Sequence, residues 1–200
     1  KQLARPVQVL FSRVDEMCYS VYMPATLFKM QSVISDNKVL SLNVSAVHQS
    51  IETQRDPNNL KDGLDPMLAT EAQRFPYHFQ HVRHAQQYVH ELTIPTGYWR
   101  GTYGNPYCFA IESWIDELAH KCKQDPLQFR LDLLGDGIVQ IGNDRRDIDM
   151  SIAKKVINQA AQMAGWGRQP IQNRGLGIAW CFSFFYAYGA AVADVSVHED

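Results

Sequence analysis

The residues best suited to hold a ligand lie in one loop, T-G-Y-W-R-G-T-Y-G, at positions 96–104. A single cation, Arg100, stands beside Gly101, and glycine lets the backbone come close to a bound group. Asn105 and Pro106 follow, and this pair is typical of the cap and first position of a helix. Because the N–H groups at a helix start attract anions, we predict that the loop can bind an anionic ligand.

The helix that follows this loop has a regular apolar stripe. Its members recur at spacings of three and four: Cys108, Ile111, Ile115, Leu118 and Cys122. Such spacing predicts one buried face. Glu112 and Asp116 lie four residues apart on the same helix, and a solvated or locally paired face is a better interpretation than a catalytic carboxylate pair.

The segments before the loop are predicted to be mostly strands. Alternating side chains predict a strand over 7–11, a connection over 15–25, a hairpin over 27–48 that turns at Asp36-Asn37, and a strand over 82–90. Residues 52–73 are polar and contain several turn signals, so we predict a long surface loop with at most one helical turn.

The segments after the loop are predicted to be helices and then strands. The second helix is capped by Asp125 and closed by Gly135, with Leu127, Leu131 and Leu134 inward. A charged linker over 135–149, a helix from Ser151 and strands over 177–185 and 190–197 follow. The third helix is predicted to turn one apolar set inward: Ile152, Val156, Ala160 and Met163. Grouped strands and grouped helices predict an α+β fold, with mixed sheets and helices packed on one side.

Composition excludes several classes of function. A net charge of −2 gives no reason to expect a nucleic-acid partner. The four cysteines form no C-x-x-C pair, which argues against an iron–sulfur or zinc site, and the strand spacing of His78, His81 and His84 prevents all three from meeting one metal. The length suits one domain or two intimately packed subdomains, a strand-rich 1–95 and a 96–200 part with helices and then strands.

Several motifs, taken together and in order, resemble one enzyme family. They are W-R-G-x-x-G, F-A-I-E-S-W-I-D-E-L-A and D-P-L-Q-F-R-L-D-L-L, with R-P-V-Q-V-L-F-S-R-V-D-E-M and M-P-A before them and A-G-W-G, R-G-L-G-I-A and A-A-V-A-D-V-S-V after them. The chain resembles the molybdenum-binding large subunit of the xanthine dehydrogenase and aldehyde oxidase family. The isoquinoline 1-oxidoreductase beta-subunit type, which is bacterial, is the most similar.

The resemblance implies a hydroxylase that oxidises an aldehyde or an N-heterocycle with water-derived oxygen. Its cofactor would be molybdenum on a molybdopterin, with the cytosine dinucleotide as one form, and its electrons would pass to a small 2Fe-2S partner subunit. By the same resemblance, Arg100 and Gly101 contact the cofactor, while Thr102 and Tyr103 face the substrate. Thr102 stands where purine-oxidising members have an aromatic residue, and Tyr103 where glycine is common. Such a protein is soluble, in the cytoplasm or periplasm, or joined to a membrane through its partners.

Two parts of the family's active site have no counterpart in these residues. The glutamate base lies near the family's C-terminus, and a glycine-rich cofactor loop lies upstream. We therefore expect the chain to be a middle part of a larger subunit, with no catalytic residue of its own and no cofactor bound by this part alone. The alternative is a non-catalytic domain that provides structure and subunit contacts.

The last predicted strand has an apolar face. Its members are Ala191, Ala193, Val195 and Val197, and we expect them to be buried. The edge near residues 190–197 is expected to support self-association, because an unpaired strand edge is a template for another chain. The alternative is that earlier strands of the same chain cover this strand.

Overall fold

The computed structural model describes residues 5–72, 74–89, 94–141, 146–169, 171–183 and 187–198. The helices are α1 Arg13–Tyr19, α2 Ile51–Arg55, α3 Pro66–Ala72, α4 Gly104–Lys121, α5 Pro126–Leu134 and α6 Met150–Met163, with a 3₁₀ turn at Pro57–Asn59. The strands are β1 Thr26–Ser35, β2 Lys38–His48, β3 His81–Tyr88, β4 Ile138–Ile141, β5 Arg146–Asp149, β6 Arg174–Ser183 and β7 Ala187–Ser196. The predicted α+β class is confirmed. None of the described helices is long and apolar enough to cross a membrane.

The first sheet has the order β1-β2-β3. β1 and β2 form the predicted antiparallel hairpin, and its turn residues Asp36 and Asn37 have φ angles of 51° and 57°. Two positive φ angles are typical of the tight turn that Asn and Asp favour. β3 confirms the predicted strand over 82–90 as far as Tyr88, and it pairs with β2 in parallel. Residue 90 of that prediction lies outside the described residues.

The predicted surface loop over 52–73 is wrong. This segment contains most of α2, the 3₁₀ turn and α3, and its side chains Asp65, Leu68 and Glu71 are buried. A parallel pair of strands needs a crossover connection, which often contains a helix. The polar segment is therefore the crossover between β2 and β3.

The predicted strand over 7–11 is also wrong. These residues form no regular structure and are exposed, while the predicted connection after them contains α1. Ser12 accepts a hydrogen bond from the N–H of Asp15, whose carboxylate accepts one from the N–H of Ser12. This reciprocal capping box, S-x-x-D, starts α1.

Helix α4 lies at the centre of the largest hydrophobic core. Ile111, Ile115, Leu118 and Cys122 of the predicted stripe are buried, while Cys108 is only half-buried. The core cluster also takes residues from β2, α5, α6, β5 and β6, so it joins residues on both sides of position 95.

The predicted caps of α5 are confirmed. Asp125 accepts a hydrogen bond from the N–H of Gln128, and Gly135 ends the helix at a φ of 63°. Leu134 is buried as predicted, whereas Leu127 and Leu131 are half-buried against the core. The predicted linker over 135–149 is wrong, because β4 and β5 form an antiparallel pair there and Ile148 is completely buried.

Helix α6 buries the face next to the predicted one, because its inward residues are displaced by one position. Its buried residues are Met150, Ala153, Ile157 and Ala161, so the predicted inward face is wrong. Met163, one of the residues predicted inside, is 80% exposed. Because α6 packs on β7 and α5, its buried face needs the short alanine side chains that allow close approach.

β6 and β7 form the antiparallel pair predicted at the end of the sequence. The prediction of the buried face is wrong: Tyr188, Ala190 and Val192 pack against the core, whereas Val195 and Val197 are exposed. In the described part of the chain β7 pairs with β6 alone, so self-association through its outer edge stays a prediction. Light scattering at increasing concentration, repeated with Val195→Lys, tests it.

Candidate functional site

The loop before α4 is built from two overlapping turns. The N–H of Thr102 donates to the carbonyl of Trp99 at 2.8 Å, and the N–H of Gly104 donates to the carbonyl of Gly101 at 2.9 Å. Gly101 has a φ of 85° and Thr102 a φ of 42°. A β-branched residue such as threonine rarely adopts a positive φ, so the conformation at Thr102 is strained. Strain of this kind concentrates at functional sites.

The start of α4 differs from the prediction in one respect. Asn105 is not the cap, because the helix begins at Gly104 and the cap position is taken by Tyr103, which makes no side-chain capping bond. The amide of Asn105 instead donates to the carbonyl of Arg100 at 2.7 Å. A Cβ atom at Gly101 would lie 2.2 Å from Oδ1 of Asn105, so this side chain fills the space that the glycine leaves open.

The outer surface of the loop presents unused hydrogen-bond donors. Arg100 is exposed, and its guanidinium has no ion-pair partner among the described residues. Within the same described ranges, the main-chain N–H groups of Arg100 and Gly101 make no hydrogen bond. Tyr98 and Trp99 are partly exposed beside them. This surface combines a positive charge, free donors and flat aromatic rings.

Tyr103 points in the opposite direction, into the protein. Its side chain is 1% exposed, and its hydroxyl donates to Oδ2 of Asp65 at 3.0 Å and accepts from the N–H of Ile51. Ser50 donates to the same Asp65 oxygen at 2.7 Å. Burial raises the pKa of Tyr103 well above its ordinary value, so the phenol stays protonated and remains a donor. We call Tyr103, Asp65, Ser50 and Ile51 the loop anchor.

Further contacts hold the beginning of the loop. Tyr98 donates to Glu52 and Gln54 donates to Thr96, so helix α2 is tied to the loop at two more places. The N–H of Tyr22 donates to the carbonyl of Pro95 at 2.9 Å. The loop is therefore supported from behind by α2, α3 and residue 22, while the surface at Arg100 stays accessible.

His48 lies beneath the loop beside the anchor. Its ring centroid is 5.2 Å from that of Tyr88 and 6.1 Å from that of Tyr103. Its Nε2 atom is buried and has no hydrogen-bond partner within the described structure. Burial lowers the pKa of His48, and the nearby Asp65 opposes this only in part, so the folded protein favours the neutral ring.

A second polar cluster, which sequence reasoning missed, lies in the middle of α4. Glu112 is 4% exposed, so the predicted solvated face is wrong at this position. Its carboxylate accepts from Nε of Arg130 at 2.9 Å, from the hydroxyl of Tyr77 at 2.6 Å and from the N–H of Trp180 at 3.1 Å. Arg130 also donates to Asp116 at 2.6 Å. We call these five residues the ion-pair network.

The ion-pair network has a structural role. Burial alone would lower the pKa of Arg130, but the carboxylate of Glu112 outweighs it and keeps the guanidinium charged. Every oxygen of the Glu112 carboxylate is already hydrogen-bonded. One signal was visible in the sequence: Arg130 lies inside the apolar run F-R-L-D-L-L of α5, where an arginine must find a buried partner.

The sequence of this chain matches one known protein family. The molybdopterin cofactor-binding domain matches residues 1–133, which is about two-thirds of the chain and includes the loop and all of α4. The chain therefore belongs to the molybdopterin cofactor-binding domain family.

Individual relatives are larger than this chain. It is 26% identical over 221 residues to a nicotinate dehydrogenase subunit of Pseudomonas putida, and the match covers 98% of this chain and 17% of that protein. The aldehyde oxidoreductase of Desulfovibrio gigas has a similar fold, with a TM-score of 0.53, 15% identity, and coverage of 83% of this chain and 18% of that one. The chain thus spans less than a fifth of either relative.

The loop residues fit part of a molybdopterin site. A cofactor of this type is rich in phosphate, oxygen and sulfur acceptors, and the loop offers the charge of Arg100 and the N–H groups of Arg100 and Gly101. Gly101 has no side chain over its N–H, so an acceptor can reach it directly. Arg100, Gly101 and Thr102 lie together on this turn, whereas Tyr103 lies beneath it. Among the described residues no cluster of His, Cys, Asp or Glu could hold a metal ion by itself.

Proposed function

We propose that this chain is the part of a molybdenum hydroxylase large subunit that supports one side of the cofactor and the adjacent substrate pocket. The observation that carries the proposal is the family match over residues 1–133 together with free donors on the loop inside that match. When bound, the molybdenum cofactor supplies the transfer of water-derived oxygen to the substrate and accepts its electrons.

In this proposal each loop residue has a separate task. Arg100 and Gly101 donate hydrogen bonds to the cofactor, and the absence of a side chain at Gly101 permits the close approach. Thr102 faces the substrate from the strained turn. Tyr103 is proposed for the substrate pocket by resemblance, and its buried hydroxyl favours a supporting role, in which the loop anchor holds the turn in place before the ligand arrives.

The finer features of the proposal come from the relatives and from the sequence resemblance. Nicotinate dehydrogenase is named for an N-heterocycle and aldehyde oxidoreductase for aldehydes, so we propose a substrate from these two classes. From the sequence motifs alone we also propose a bacterial enzyme of the isoquinoline 1-oxidoreductase beta-subunit type. We also propose a small 2Fe-2S subunit as the electron acceptor and the cytosine dinucleotide as the pterin form. Acid release of the nucleotide from the purified protein, followed by chromatography, tests the last of these.

A non-catalytic role in subunit contacts is the second candidate. It is favoured by the exposed apolar side chains of residues 5–23. Leu10 is 83% exposed, Phe11 73% and Tyr19 87%, and exposed patches of this kind mark interaction surfaces. This role and the cofactor role are compatible, because Leu10, Phe11 and Tyr19 make none of the contacts that hold the loop among the described residues.

The test uses the complete polypeptide that contains this sequence, produced in a host that makes the cofactor. We expect molybdenum to co-purify with it and with hydroxylase activity on an aldehyde or an N-heterocycle. Arg100→Ala should lower molybdenum content and turnover, while Arg13→Ala, which removes another exposed arginine, should change neither. A complete polypeptide without molybdenum and without activity would contradict the proposal and favour the contact role.

A further inference from the structure

Two cysteines from distant parts of the sequence lie next to each other in the fold. Cys108 is in the first half of α4, and Cys181 is in β6. The thiol of Cys108 donates to the carbonyl oxygen of Trp180, the residue before Cys181, at 3.8 Å, and the two cysteine side chains interact with each other. Both side chains are half-buried, so small molecules can reach them.

The strand that pairs with β6 leaves room around this thiol pair. Gly189 of β7 is directly opposite Cys181 in the register. A Cβ atom at Gly189 would lie 3.6 Å from the sulfur of Cys181, which is ordinary contact distance. Glycine therefore places no side-chain atom against the sulfur of Cys181.

The other two cysteines lack this arrangement. Cys18 is exposed in α1, and Cys122 is buried at the end of α4. Neither has a second cysteine beside it in the part of the chain that the structure describes. The four cysteines therefore offer one thiol pair, one accessible single thiol and one protected single thiol.

We propose that Cys108 and Cys181 form a dithiol site that reacts with small-molecule disulfides and closes into an intramolecular disulfide. This site is separate from the cofactor loop, and the proposal does not depend on the proposed function. It would link α4 covalently to β6 beside the contact between Glu112 and the N–H of Trp180.

The reaction balances as two exchange steps. The Cys181 thiolate attacks one sulfur of a disulfide RSSR, so that a Cys181–SR bond forms, the S–S bond breaks and one RS⁻ leaves. Cys108 then loses its proton to solvent and attacks the Cys181 sulfur, which forms the Cys108–Cys181 bond and releases the second RS⁻. The two protein thiols are oxidised by two electrons, and RSSR is reduced to two thiols.

The thiol contact also assigns the order of the two steps. The hydrogen bond from Cys108 lowers the pKa of Cys181 to about 7, although burial opposes this shift. The same hydrogen bond, with burial and the nearby Glu112 carboxylate, raises the pKa of Cys108. Near neutral pH Cys181 is therefore the nucleophile, and Cys108 is the residue that resolves the mixed disulfide.

The first experiment measures alkylation of the complete reduced polypeptide by iodoacetamide from pH 5 to pH 10, with peptide mass spectrometry to assign each cysteine. We expect the rate at Cys181 to rise with a midpoint near pH 7. Cys108→Ala should move the Cys181 midpoint upward. A Cys181 midpoint that Cys108→Ala leaves unchanged would overturn the proposal.

The second experiment adds oxidised glutathione. The wild type should lose two hydrogens and show a Cys108–Cys181 crosslinked peptide, while Cys108→Ala should keep glutathione on Cys181. Cys108→Ser serves the same purpose if the alanine variant does not fold. Glutathione at Cys18 alone, or a stable adduct on wild-type Cys181, would show that the pair does not act as a dithiol site.

Discussion

Two polar clusters hold helix α4. They differ in charge and in the part of the chain that each one positions. The ion-pair network joins the middle of α4 to α5 and β6 through a fully buried arginine and carboxylate. The loop anchor joins the residue before α4 to α2 and Asp65 through one carboxylate and neutral donors. The first cluster positions the helix in the core, and the second positions the loop that faces solvent. We infer that stability and ligand binding can be perturbed separately.

The largest expected effect is on the ion-pair network. Arg130→Met should lower the free energy of unfolding by about 3–5 kcal/mol, because Glu112 would remain buried without its cation. Denaturant unfolding measures this change. Asp116→Asn is the matched control, since its side chain contacts the same arginine but is 42% exposed, and it should cost about 1 kcal/mol or less. Similar losses for both variants would contradict the assignment of Glu112 as the essential partner.

The second prediction separates the loop anchor from general packing. Tyr103→Phe removes the donor to Asp65 and the acceptor for the Ile51 N–H, and should cost about 1–3 kcal/mol. Tyr107→Phe is the control, because that buried hydroxyl makes only a 3.4 Å contact with Gln86. In the complete polypeptide, molybdenum content should fall for Tyr103→Phe and stay constant for Tyr107→Phe. Equal molybdenum content in the two variants would show that the anchor does not prepare the loop.

Two elements that depend on local signals, the β1–β2 hairpin and α5, were predicted from the sequence, whereas α1 was missed although its capping box is also local. The hairpin is set by Asp36-Asn37, and α5 by Asp125 and Gly135, because each signal acts on its neighbours within a few residues. The loop was found for the same reason, since its glycines and Arg100 are adjacent in sequence. The family resemblance could be stated from motifs alone and is confirmed at the level of the molybdopterin cofactor-binding domain.

Features that depend on distant partners were not predictable. Tyr103 lies inside because Asp65, 38 positions earlier, accepts its hydrogen bond, and Glu112 is buried because Trp180, 68 positions later, donates to it. Helix α6 has apolar side chains on two faces, so periodicity alone could not say which face packs on β7. The polar crossover from β2 to β3 resembles a loop until its buried partners are known.

The third prediction concerns the turn between the two clusters. Gly101→Ala should cost about 1–2 kcal/mol, because alanine is strained at a φ of 85° and its Cβ would displace Asn105. The double variant Gly101→Ala/Asn105→Ala removes the clash but keeps the backbone strain, so it should not restore wild-type stability. Thermal unfolding of both variants measures the difference. Full recovery in the double variant would mean that the contact with Asn105, and not the φ angle, requires glycine.

The smallest expected effect is a decrease in the free energy of unfolding at mildly acidic pH, caused by His48 beside the loop anchor. The folded protein lowers the pKa of His48 below its ordinary value of 6.5, mainly through burial, with Asp65 opposing. The unfolded chain therefore binds more protons at this residue, so the His48 contribution to stability is complete above pH 6.5 and decreases as the pH falls below that value. Tyr88 and Tyr103, which pack on the ring, stay neutral in this range and supply no compensating charge.

The measurement is the free energy of unfolding between pH 5 and pH 7.5 for the wild type and for His48→Gln. We expect the wild type to lose stability toward pH 5 and the variant to show a shallower slope over the same interval.

His48→Gln combined with Tyr103→Phe should be non-additive, because both residues contact the same buried region and share the field of Asp65. His48→Gln combined with Arg130→Met should be close to additive, since the two clusters hold different parts of α4. If His48→Gln leaves the pH dependence of the free energy of unfolding unchanged, His48 is not the residue that responds to acid. Strong coupling between His48 and Arg130 would show that the two clusters act as one.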